Sequence, residues 1–344
     1  MHPSPTVTPP PTVKKSLDTI ARIVAEIEAR RTGCSSSNEP WVSYPLSEGQ
    51  YAEFKQRAQS DASLKDYVNQ KLRHDFIPSA GRLVLRIPTQ LNEWVISSVV
   101  KEVSRQLRVI GAGDGASAAF ARAVVSRGSP TLDFTDTGYG RHDPDAQFRH
   151  LDAQYPGVVI EVSYLQKQKY MPYIAEDCIL GSDGDTRRFI CLDIDYPNSK
   201  KAVMSSWEPS VVLNAAGEPE LTAQQTIVDM QIFRDEDGNP NPDEDAGLTL
   251  QLRDFATETL SGHDDLYADP IRIPASTLYY YLVEAEKNVA KLKQGQGVVR
   301  ETKPWVRKRR RQETPPEELH DSREAKFPKI EESVMAQAEK DDPS

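Results

Sequence analysis

Residues 157–164 (GVVIEVSY) constrain the chain most. A Pro-Gly break precedes a run of β-branched residues and a polar stretch follows it, the pattern of a strand. Side chains alternate along a strand, so Val158, Ile160 and Val162 share one face, and Val159, Glu161 and Ser163 share the other. A carboxylate in the middle of such a strand is costly to bury alone, so Glu161 needs a cation, a proton or a metal.

Other segments fall around this strand. Leu17, Ile20, Val24 and Ile27 recur at helical spacing over 16–31. Ser47 and Gln50 have capping-box spacing for a helix near 48–58, and a further helix is expected over 61–72. RLVLRI at 82–87 reads as a strand. A long amphipathic helix should follow over 90–108, with Leu91, Val95, Val99, Val103 and Leu107 on one face. Short strands are expected at 131–134 and 145–148. A helix is expected over 166–179 with Pro172 early in it, then strands at 187–196, 201–207, 225–233 and 248–252. Residues 276–292 form a last amphipathic helix. The alternation of helices and strands predicts an α/β (α+β) fold with a mixed central sheet.

The ends differ in composition. Residues 1–15 are Pro-rich and read as a disordered lead, and residues 16–74 as N-terminal helices. The core with its added strands is placed at 75–255, a C-terminal helical region at 256–294 and a disordered tail at 295–344. The formal net charge is −10, which taken as uniform would repel nucleic acid. It is not uniform: 300–311 carries +6, 312–344 carries −6, and 235–245 (DEDGNPNPDED) is an acidic, solvated loop. The run Trp305–Arg311, extended by Lys303, reads as a nuclear localisation signal or a nucleic-acid contact. No apolar stretch is long enough for a membrane span and the N-terminus is no secretory signal, so the chain reads as intracellular. Cys34, Cys178 and Cys191 form neither a disulfide framework nor a zinc motif. P-loop, GxGxxG, GxSxG and HExxH motifs are missing from the sequence.

Asp145 lies sixteen residues before Glu161, and a hairpin-like return places the two side by side. Paired carboxylates suit a hard divalent cation, which can activate water and stabilise a pentavalent phosphate. The bland alternative is that Glu161 pairs with Arg149, Lys167 or Lys169 while Asp145 caps a turn.

Pro144-Asp145 followed by Glu161-Val162-Ser163 resembles the core of the PD-(D/E)XK nuclease superfamily. The likeness is closer to uncharacterised fungal proteins with HDPD and YPGVVIEVSYSQK segments, themselves related at a distance to bacterial restriction-endonuclease domains. It covers about residues 75–255. It implies a restriction-endonuclease-like core with Asp145, Glu161 and the Val162 carbonyl holding Mg²⁺ or Mn²⁺, and Glu93 as an accessory acid. The superfamily's lysine should stand two residues after Glu161, where this chain has Ser163. Lys167 and Lys169, on the following helix, are the candidates to replace it. His142 and His150 flank the motif and read as surface residues or as contacts to a phosphate or a metal, and Asp193 and Asp195 as outer supports or turn residues. Two functions follow: a Mg²⁺-dependent nuclease acting on DNA or RNA, or a catalytically silent relative that binds nucleic acid or a protein partner in the nucleus. Tyr279–Tyr281 suit packing better than base stacking, and the 276–292 helix offers a homodimer face.

Overall fold

The computed structural model describes residues 11–35, 39, 41–163, 168–195, 199–226, 231–262, 266 and 268–298. It forms one compact unit over Met1–Gly295 and a second over Gln296–Ser344. The first ten residues, Lys167 and the basic run lie outside the described residues.

The N-terminal third builds the smaller of two large sheets and its helical cover. Helix α1 (Pro11–Arg31) begins inside the Pro-rich stretch expected to be disordered, because proline in a first helical turn has no hydrogen bond to lose. Ile20, Ile23 and Ile27 are buried. Strand β1 (Trp41–Pro45) precedes α2 (Glu48–Ser60) and α3 (Ala62–Gln70), and the Ser47–Gln50 capping box forms as expected. Strands β2 (Arg73–Ile77) and β3 (Arg82–Arg86) then pair antiparallel. With β5 (Leu132–Asp133) and β6 (Arg141–His142) they complete a five-stranded sheet ordered β1-β3-β2-β6-β5.

Helix α4 (Gln90–Gly111), capped by Thr89, buries the five expected apolar residues. It is followed by α5 (Gly115–Ala123) and β4 (Val124–Gly128), neither visible as a sequence pattern. Strands β7 (Ala146–His150), β8 (Val158–Ser163), β9 (Arg188–Ile194), β10 (Ala202–Leu213) and β11 (Pro219–Gln225) form the second sheet. Its order is β11-β10-β9-β8-β7-β4, with β12 (Gln231–Arg234) also on β10. It is mixed: β7 and β8 are antiparallel, while β8 and β9 are parallel, joined through α6 (Met171–Gly181). Pro172 sits in the first turn of α6. The strand expected over 225–233 is instead the end of β11 and the start of β12. Strands β13 (Gly247–Leu250) and β14 (Ile271–Pro274) pair with each other; between them lies a short helix α7 (Glu258–Ser261), and α8 (Ala275–Lys293) ends the unit.

The expected alternation on β8 holds. Val158, Ile160 and Val162 pack with α4 and α8 in one core. Val159 faces the other way, with α6, Cys191 and, from the smaller sheet, Ile77 and Val84. On β3, Leu83 and Leu85 face α1–α3, so Val84 and Arg86 face the larger sheet. Glu161 and Arg86 are thereby turned towards the same layer. Of the apolar face of α8 that suggested a dimer surface, Leu278, Leu282 and Ala285 are buried within the chain itself, Val289 is partly buried there and Leu292 is exposed. Among the described residues no helix is long and apolar enough to cross a membrane.

Candidate functional site

The chain leaves the smaller sheet at His142 and enters the larger one at Ala146. The link, Asp143-Pro144-Asp145, is where the two sheets meet. Asp145 and Glu161 are both nearly buried, with side-chain exposures of 6% and 1%. They share one nitrogen: Nη2 of Arg86 donates to Asp145 Oδ1 at 2.6 Å and to Glu161 Oε2 at 3.1 Å. Nη1 of Arg86 donates to Glu161 Oε1 at 3.3 Å, to Asp75 Oδ2 at 3.5 Å and to the Asp143 carbonyl. Burial opposes the charge on Arg86, but Asp145, Glu161, Asp75 and Asp143 outweigh it and hold its pKa well above the usual value.

The sequence therefore brings the acidic pair together, but with an unexpected partner. Glu161 pairs with Arg86, not with Arg149, whose Nη1 donates to the Gln154 carbonyl. Asp145, expected to cap a turn, reaches across to β8, where its Oδ2 accepts from the Val162 amide at 2.8 Å. Glu93, in the first turn of α4, stands one residue away from the pair: it meets Arg73 at 3.5 Å, and Arg73 meets Asp145 at 3.3 Å and Ser129 at 2.6 Å. Lys169 lies in the turn before α6, not on it, and is exposed with Nζ 4.9 Å over the Tyr170 ring. At the lysine's expected place, Ser163 is buried and donates to Asp193 Oδ1 at 2.6 Å. Asp195 sits in the turn after β9, where its amide donates to the Lys201 carbonyl.

Neither histidine is a surface residue. His150 is on β7 against Phe120, with ring centroids 4.9 Å apart. His142 is fully buried, Nε2 2.9 Å from Asp177 Oδ2, and Nδ1 lies 3.8 Å from Asp75, too long for a hydrogen bond. Burial alone would lower its pKa, but the Asp177 hydrogen bond and the Asp177 and Asp75 charges raise it to about 9. His74, on the neighbouring strand β2 but facing the α1–α3 side, goes the other way: burial and the Arg141 charge lower it to about 4. Gly140 is required here, since a Cβ would stand 2.4 Å from Asp177 Oδ2 and from the Phe76 carbonyl. Asp143 accepts from the His74 amide at 2.8 Å, from Thr131 at 2.6 Å and from Arg141 at 2.9 Å.

The sequence reading omits Arg86, Arg73, Asp75, Asp143 and Asp177. One signal for Arg86 was present: it is a charge in an apolar strand, RLVLRI, the same anomaly that marks Glu161. Two such charges of opposite sign satisfy each other.

A divalent cation between Asp145 and Glu161 would need the space that the guanidinium fills. Displacing Arg86 would break at least two charge-assisted hydrogen bonds of roughly 1.5–3 kcal/mol each, about 10²–10⁴ in affinity. Among the described residues no group of three or more His, Cys, Asp or Glu side chains is arranged to hold a metal ion. As arranged, these residues do not fit Mg²⁺. The sequence matches no protein-family model and no curated protein.

Proposed function

We propose that this chain is a protein of nuclease-like fold that binds nucleic acid, DNA foremost, in the nucleus without cutting it. The observation that carries this reading is the Arg86 guanidinium seated between Asp145 and Glu161, in the space a bridging cation would need. Ser163 supports it: where the resemblance expects a lysine for the attacking water, a hydroxyl is tied to Asp193. The mixed sheet flanked by helices agrees with the resemblance, and the basic run at 303–311 supplies the charge for phosphate contact and for nuclear import. Labelled single- and double-stranded DNA and RNA, titrated at several salt concentrations, test the reading. Binding should weaken with salt, and deleting 303–311 should reduce both affinity and salt slope. The same deletion should lower nuclear accumulation of a tagged chain. Mg²⁺- or Mn²⁺-dependent cleavage that disappears in Glu161→Gln would overturn it.

A second reading, metal-dependent phosphodiester cleavage, is favoured by one observation: the two carboxylates do stand together, Asp145 just before β7 and Glu161 on the adjacent β8. In that reading Lys167 or Lys169 supplies the charge beside the phosphate, and divalent ions stabilise the wild-type fold.

A further inference from the structure

Strand β10 outruns its neighbour. Ala202–Trp207 pair with β9, and Trp207–Leu213 pair with β11 on the other side. From Glu208 onward β10 and β11 therefore form a two-stranded ribbon, and among the described residues no strand faces β10 on its β9 side. Backbone groups alternate sides along an antiparallel strand. The Ser206 carbonyl accepts from the Thr226 amide and the Asn214 amide donates to the Glu218 carbonyl, so the even-numbered residues of this stretch are turned to β11. Val211 and Leu213 are turned outward, each presenting one N–H and one C=O at the open edge. Pro209 presents a C=O alone.

Strand edges are ordinarily blunted by charge or proline. The β11 edge is: it opens with Pro219 and Glu220, just after Glu218. The outer end of β10 is not. Ser210–Gly217 (SVVLNAAG) holds no charge, and Val211 and Leu213 are 67% and 72% exposed. Each chain carries a net −10, so two copies approach at least cost where both are neutral.

The stretch also matches itself. With a two-fold axis at Val212, antiparallel copies set Val212 against Val212, Val211 against Leu213 and Ser210 against Asn214, apolar on apolar and polar on polar. All four outward groups of each copy are then used, Val211 and Leu213 exchanging N–H and C=O in both directions. An axis at Val211 would set Leu213 against Pro209, which has no N–H to give. An axis at Ser210 would set it against Trp207, which already pairs with β9.

We infer that the chain self-associates through this edge, a second copy adding its own β10 so that the larger sheets of two molecules run on as one. So short an edge buries less than ~1,200 Å², the range of weak, reversible interfaces.

Sedimentation velocity of the full chain at rising concentration tests this. Wild type should pass reversibly from monomer to dimer and no further, because each copy has one such edge. Val211→Pro removes an N–H that points away from β11 and deletes two of the four hydrogen bonds between copies, so the dimer Kd should rise about tenfold or more. Val212→Lys sets two ammonium groups face to face on the axis and should abolish the dimer. Cysteine pairing reads the register directly, in a Cys34→Ser background. Val212→Cys should form an interchain disulfide on mild oxidation. Ser210→Cys should not, since its two copies lie four residue steps, about 13 Å, apart along the strands. Wild type that stays monomeric overturns the inference. So does a dimer that Val212→Lys leaves intact, or one that Ser210→Cys locks as readily as Val212→Cys.

Discussion

Asp145 and Asp177 are both nearly buried carboxylates facing a cation in the same layer, but Asp145 faces Arg86 and Arg73 whereas Asp177 faces His142. A guanidinium keeps its charge at any physiological pH. An imidazolium keeps it only below its pKa, here about 9. The first cluster is therefore a fixed joint between two sheets, and the second is a joint that titrates. Burial has the same sign in both and is overcome by the same means, several acceptors around one cation.

The largest effect expected is at the fixed joint. Glu161→Ala should cost about 3–5 kcal/mol in metal-free buffer, because it leaves Arg86 buried and half-paired. The sequence alone suggests the reverse, since two bare carboxylates repel and removing one brings relief. Urea melts decide between them: a variant as stable as wild type would mean that Arg86 does not hold the pair.

The titrating joint comes next. His142 binds its proton more tightly folded than unfolded, so its contribution is complete below pH 6.5 and is lost as pH rises through about 9. The loss is on the order of 3 kcal/mol. His74 has the opposite sign and lowers stability as pH falls from 6.5 towards 4, because only the unfolded chain takes up its proton. Stability measured against pH should thus peak near 6.5. In His142→Gln the alkaline limb should flatten, and a limb that survives unchanged would remove His142 from the account.

Ser163 shows a third way to satisfy an acid, a neutral hydroxyl on Asp193. Ser163→Ala should cost roughly 1–2 kcal/mol by leaving that buried carboxylate short of a donor. The smallest effect belongs to Arg73, which touches Asp145 as Arg86 does but is 23% exposed. Arg73→Ala should cost under about 1 kcal/mol. A cost equal to that of Glu161→Ala would break the distinction between rim and interior.

What the sequence disclosed follows from how far each signal reaches. Strand β8, helix α4 and the Ser47 cap are local patterns, and each formed where expected. The closeness of Asp145 and Glu161 was legible because one hairpin-like return joins β7 to β8. Arg86 was not, because it reaches the pair from a different sheet and no spacing rule links the two. His142 was misread for a related reason: its neighbours in sequence suggested a polar loop, while in space it is fully buried against Asp75 and Asp177. Strands β1, β2 and β4 are five residues each and carry too little alternation to stand out. Lys169 was placed on a helix that begins two residues later.

The distance of Arg86 from its partners also bears on how the chain is made. Asp145 is synthesised 59 residues after it and Glu161 75 residues after it. At roughly 5–20 residues per second, β3 waits about 4–15 s on the ribosome before the Asp145–Glu161 pair that encloses its arginine is complete. Until then the smaller sheet also lacks β5 and β6, so its edge is open and Arg86 has only Asp75 among its carboxylates. The N-terminal third made alone therefore has an open edge on β2 and an incompletely enclosed Arg86, despite its helices and its own apolar cluster. Its arginine gains its last partner only when β8 emerges, which leaves β2 and β3 as the stretch in most need of shelter during translation.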